Sequence, residues 1–193
     1  MPTLEASTTA TDFTPTNFTP SEALRPIDCM GLTSLVDKNK ANPAGGKVTL
    51  RATTVTEGQM RNLTYIRDLA PVIIDEPPHL LGENTAPNPS EAVLAALGAC
   101  LAVGYMANAS HHGITLSEIK IEMEGDIDVS AVWGLGDVPD DKVAGFTALR
   151  VKAHLKGDAS REQLDDIVQN ANRWSPVAST LRNNVQVTAT LAE

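Results

Sequence analysis

The run AVLAALGACLAVGYMA, residues 92 to 107, limits what this chain can fold into more than any other stretch of it. It is apolar nearly throughout and bounded by Glu91 and Asn108. That is shorter than the ~20 residues a bilayer core requires, so no membrane partner is expected. Its apolarity comes largely from alanine and glycine. A helix that is apolar all round yet made of small residues needs close protein neighbours on every side. The expectation is a long, buried central helix over residues 91 to 111. Ser90 stands where an N-cap is wanted, Glu91 is a first-turn acid that suits the helix dipole, and Gly113 is a natural residue just past the end.

The text on either side sorts into strands and helices without a βα alternation. KVTLRATTV, 47 to 55, alternates apolar and polar residues as a half-buried strand does. A turn at Glu57-Gly58 leads into a second strand, MRNLTYIRD, and residues 71 to 75 make a short β-branched third. The prolines and glycine of 75 to 89 mark a loop, and NPAGG at 42 to 46 is turn chemistry. Further strands are expected at 117 to 123 and 144 to 154, separated by an acidic loop. A helix over 160 to 174 carries Leu164, Ile167, Val168 and Ala171 on one face. Ser175-Pro176 opens a second short helix as N-cap and N1 proline, and 185 to 191 reads as a closing strand. Strands, long helix, strands, helix pair and strand describe an α+β domain over 27 to 193. Residues 1 to 26, rich in threonine and proline, read as a flexible or extended arm.

A formal charge of −9 argues against a nucleic-acid partner, which needs a cationic footprint. Two cysteines, Cys29 and Cys100, do not make a disulfide framework, and the N-terminus has no signal-peptide pattern. A soluble, cytoplasmic protein is expected. No phosphate loop, GxGxxG, nucleophile elbow, CxxC or HExxH is present, so no cofactor and no metal are expected. Cys100 is the residue that asks for an explanation. A free cysteine in a helix is commonly a small core hydrophobe. It also lies too far along the helix for the N-terminal dipole to activate it.

DEPPHLLGENTAPNPSEAVLAALGACLA, 75 to 102, resembles the central signature of the OsmC/Ohr family: a Gly-containing loop, an (N/S)-P-x-E, an Ala- and Leu-rich helix and a cysteine. FTALRVKAHLKGDASREQLDDIVQNANRWSPVASTL, 146 to 181, is similar to the family's second half, where a strand and helix lead into C-P-V-x-x-x-L. The resemblance covers roughly residues 47 to 191. It implies an intertwined homodimer in which each long helix packs between antiparallel sheets. It also implies thiol-dependent reduction of organic hydroperoxides as part of an oxidative-stress response.

In that chemistry a first cysteine becomes a sulfenic acid and a second closes a disulfide. Cys100 matches the first; Ser175 occupies the position of the second, and serine cannot form that bond. The resemblance also implies an arginine near the thiolate, held by a glutamate. Arg61 best matches it, with Arg67 in reserve, and Glu91 matches the glutamate. Nine residues separate Glu91 from Cys100, about 13.5 Å along a helix and about 180° around it, so Glu91 is expected to act across the dimer. Two readings stand. One is a one-cysteine hydroperoxide reductase whose sulfenate is cleared by a small thiol reductant or by Cys29. The other is a non-catalytic stress protein of the same fold that binds an apolar small ligand.

Overall fold

A computed structural model of the chain describes residues 23–130, 132–136 and 138–192. The arm expected over 1 to 26 thus lies outside the described residues except at its end. There Leu24 donates its N–H to the Leu116 carbonyl at 2.7 Å and packs against the core.

A helix the sequence reading did not assign comes first: α1, Cys29–Ala41, capped by Asp28, which accepts from the Met30 N–H. It buries no residue, so it has no apolar stripe for periodicity to detect. A 3-10 turn, Pro43–Gly46, follows at the predicted turn. Three antiparallel strands come next: β1 (Thr53–Gly58), β2 (Arg61–Tyr65) and β3 (Val72–Ile74), in the order β1-β2-β3. The strand expected over 47 to 55 therefore starts six residues late. Val48 and Leu50 are 77% and 89% exposed and lie outside any ladder, so alternation alone did not provide a pairing partner.

The long helix, α2, runs Pro89–His111. Its N-cap is Asn88 rather than Ser90: Asn88 accepts from the Glu91 N–H at 2.8 Å while Glu91 accepts from the Asn88 N–H at 2.8 Å. This reciprocal box satisfies two backbone donors at once, which a cap at Ser90 could not do with Glu91 only one residue on. Gly113, at φ +68°, ends the helix in the left-handed region as expected.

β4 (Leu116–Ile127) and β5 (Phe146–Gly157) form a long antiparallel ribbon, then come α3 (Arg161–Trp174) and α4 (Pro176–Arg182). The inner face of the ribbon carries Ile119, Ile121 and Met123 opposite Leu155, Ala153 and Val151. Its outer face carries the cross-strand pairs Glu118–Lys156, Glu122–His154 and Asp126–Arg150. The strand expected at 185 to 191 is absent. Val185 and Val187 are 57% and 86% exposed, and no described strand borders them to pair their backbone.

The core gathers Leu97, Leu101, Tyr105 and Ala109, one stripe of α2 at four-residue spacing, with Leu116, Ile167, Ala171 and Ala178. Helices α2 and α3 approach closely at Gly104, where an added Cβ would lie 2.8 Å from the Ala171 Cβ. The opposite stripe of α2, with Ala95, Ala96, Ala99 and Val103, is exposed. The expectation of a helix buried all round is therefore not met among the described residues of one chain, whose elements supply neighbours for one side. The sheet β1-β2-β3 likewise leaves Val55, Tyr65 and Ile73, which share a face by register, substantially exposed.

The loop into α2 is pinned by Asp75. This buried carboxylate accepts from the Thr85 N–H at 2.9 Å and from the Thr85 hydroxyl at 2.8 Å. Those donors, the Thr85 N–H first, hold its pKa down from 3.8 to about 2. A carboxyl depressed in the folded state adds stability above its unfolded pKa and loses it as pH falls through the folded value. Acid titration of stability should therefore show a decline between pH 3.8 and about 2 that is blunted in Asp75→Asn. Circular dichroism melts across that range, with identical acid limbs for the two proteins as the contrary result, check this.

Candidate thiol site

Cys100 lies halfway along α2, flanking the buried stripe, and is partly accessible. Its sulfur meets Ser175, the residue joining α3 to α4. The Ser175 hydroxyl donates to Cys100 Sγ at 3.0 Å and accepts from the Ala178 N–H at 3.1 Å. The capping role anticipated for Ser175 is thus present, together with a contact to Cys100 that local sequence does not reveal, because 75 residues separate the two. Ser175 is 4% exposed. Leu97, one turn before Cys100, and Ala178, one turn into α4, border a cleft of about 490 Å³ with Phe146, Leu149 and Leu181 along its walls and Asn172 and Arg182 among its polar lining.

Cys29 is elsewhere. Its thiol donates to the Ser110 carbonyl at 3.0 Å, at the far end of α2. Ser110 is ten residues beyond Cys100, about 15 Å along the helix. A disulfide needs Cα atoms within about 7 Å, so Cys29 of the same chain cannot reach Cys100 while α1 keeps its place.

Arg61 opens β2 and belongs to a separate polar cluster. Its Nε donates to Glu57 Oε2 at 2.8 Å, and its Nη1 donates to the Thr85 hydroxyl at 2.6 Å. Thr85 in turn is held by Asp75, so a buried carboxylate orients the hydroxyl that receives the guanidinium. Glu57, Arg61, Asp75 and Glu83 border a small cavity of about 230 Å³. Arg67 sits in the turn after β2 at φ +52°.

Glu91 is engaged in the Asn88 box at the start of α2. It bears on Glu76, whose carboxyl pKa is raised first by burial and then by the negative charges of Glu91 and Asp75. One oxygen of Glu76 is buried without a hydrogen-bond partner. Within one chain, then, Cys100 and Ser175 come together, while Arg61 and Glu91 each have partners of their own. Asp75, Thr85 and Glu76 were missed by sequence reasoning. The prolines and asparagine around them read as loop, and no spacing rule links a loop threonine to an aspartate ten residues before it.

Set beside known proteins, the chain matches the family described as OsmC-like protein over residues 82–190. Among solved structures it is similar to an OsmC-like protein of Mycoplasma pneumoniae, with a TM-score of 0.59 and 16% identity over 70% of this chain and 89% of that one. The organic hydroperoxide resistance protein OsmC of Legionella pneumophila gives a TM-score of 0.51 and 21% identity over 72% and 93%. An OsmC-like protein of Vibrio cholerae gives 0.53 and 13% over 69% and 94%. No protein of curated function matches the chain. The match takes in the cysteine helix, the long ribbon and both later helices, more than half of the chain: this chain belongs to the OsmC-like protein family.

Proposed function

We propose that the protein is a soluble, cytoplasmic one-cysteine hydroperoxide reductase that acts on organic hydroperoxides through Cys100. The observation that carries this reading is the 3.0 Å contact between Cys100 Sγ and Ser175 Oγ. It supports reading Ser175 as the counterpart of the family's second cysteine, with a hydroxyl in place of a thiol. The thiol attacks the distal peroxide oxygen. An S–O bond forms, the O–O bond breaks, and the thiol's proton ends on the departing alcohol, so Cys100 becomes a sulfenic acid. Ser175 offers no sulfur for a disulfide and Cys29 is out of reach, so a small external thiol clears the product. One equivalent gives a mixed disulfide and water, and a second frees Cys100. The Phe146, Leu149 and Leu181 side of the neighbouring cleft suits the organic part of an alkyl or aryl hydroperoxide, while Arg182 in the same cleft is engaged by Asn172.

Arg61 is the cation assigned to the thiolate and Glu91 its support, both delivered across a homodimer. The exposed small-residue stripe of α2 and the exposed apolar face of β1-β2-β3 are the surfaces a second copy would cover. α2 has the length and apolarity of a membrane span. Its capping box and its stripe packed on α3 and β4 support a core helix instead. The rival reading, a non-catalytic binding protein, is favoured by the serine at 175 and requires Cys100 to be inert.

Intact-mass analysis after one equivalent of cumene hydroperoxide should show rapid addition of one oxygen to the wild type and to Cys29→Ser, and none to Cys100→Ser. A folded wild type that stays reduced abandons the reductase reading for the binding one. Sedimentation equilibrium should give a dimer, dissociated by Val103→Asp, which puts a charge on the largest side chain of the exposed stripe. A wild type that is monomeric and active would remove Glu91 from the site.

A further inference from the structure

We propose that the Ser175 hydroxyl is a working part of the thiol site: it donates a hydrogen bond to Cys100 Sγ, and that bond promotes the sulfur's attack. The inference rests on the reductase reading above and gives Ser175 a part in the reaction, where that reading uses only its position.

The direction of the bond follows from the inventory of a serine hydroxyl, which has one donor and two acceptor positions. One acceptor position is taken by the Ala178 N–H at 3.1 Å, the capping bond of α4. Capping uses only the oxygen's lone pair and leaves the proton free. Ser175 is 4% exposed, so water does not compete for that proton, and among the described residues Cys100 Sγ at 3.0 Å is the acceptor that receives it. A buried hydroxyl proton without an acceptor would be costly, so the rotor is held on the sulfur. Two elements fix the donor. The N–H of α4 holds the oxygen from one side, and the buried Ala171 and Ile167 seat α3 against α2 on the other.

A hydrogen bond to a charged sulfur is stronger than one to a neutral thiol. The contact therefore tightens as the thiol gives up its proton and the sulfur prepares to attack. Ser175 keeps its own proton throughout. The reaction balances as thiol plus hydroperoxide giving sulfenic acid plus alcohol, with sulfur oxidised by two electrons and the O–O bond reduced. The N-terminal end of α2 lies too far along the helix to help the sulfur, and within one chain, among the described residues, this hydroxyl is the polar side chain hydrogen-bonded to it.

The test separates cap from donor. Glycine at an N-cap is tolerated much better than alanine, so Ser175→Gly removes the hydroxyl and largely keeps the helix start. Ser175→Thr keeps both. In a Cys29→Ser background, the rate of Cys100 oxidation by cumene hydroperoxide should fall at least about tenfold in Ser175→Gly and stay within about twofold of the parent in Ser175→Thr. Alkylation of Cys100 by iodoacetamide should follow the same order, a readout that a merely structural cap would not move. Equal rates in the parent and a folded Ser175→Gly overturn this inference and leave the reductase reading standing. A parent that alkylates but ignores hydroperoxide overturns the reductase reading, and with it the hydroxyl's part in the reaction.

Discussion

The seating of α2 against α3 and α4 is the contact from which the site follows. Small residues permit it: Gly104 faces Ala171 at a distance that admits no side chain, and Ala109 and Ala178 are buried in the same core. Close packing leaves little room for adjustment, since interiors at crystal-like density transmit a displaced methyl group to their neighbours. Because α3 cannot shift outward along α2 without opening that seam, the residue that follows it, Ser175, arrives beside the sulfur. Ser175 then ends one helix, begins the next and touches Cys100.

A second set of restraints lies at the other end of α2. Asp75 fixes Thr85, Thr85 receives Arg61, and Asn88 and Glu91 lock the first turn. The loop before α2 is thereby tied to the β1-β2 hairpin through side chains rather than through a ladder. The guanidinium is held oriented but not buried, with Arg61 about one-third exposed. That leaves it free to meet a group presented by another copy, as the homodimer reading requires. Glu76, with a buried oxygen lacking a partner, lies in the same region, where burial and then the charges of Glu91 and Asp75 raise its pKa.

Much of this was legible in the sequence where a pattern is local. A long helix over 91 to 111 followed from its apolar length, and the strands within 117 to 123 and 144 to 154 and the apolar face of α3 followed from their patterns, without the pairing of the two strands. Ser175 as a cap followed from its proline. What stayed hidden was what depends on contacts between distant segments. The Ser175–Cys100 bond and the Asp75–Thr85–Arg61 chain have no spacing signature. α1 was missed because it packs almost nothing, and the strand expected at 185 to 191 was over-read because alternation does not guarantee a neighbour. The helix expected to be buried all round shows the same limit: its composition records every surface it must meet, while one chain provides only some of them.

The most direct measurement is a crystal structure of the protein frozen minutes after exposure to one equivalent of an organic hydroperoxide. A single added oxygen on Cys100 Sγ, with the Ser175 hydroxyl still within hydrogen-bonding distance of the oxidised group, is the predicted result. An unmodified Cys100 beside an oxidised Cys29 or methionine would contradict it, and would leave the sulfur of α2 a small residue in a well-packed seam.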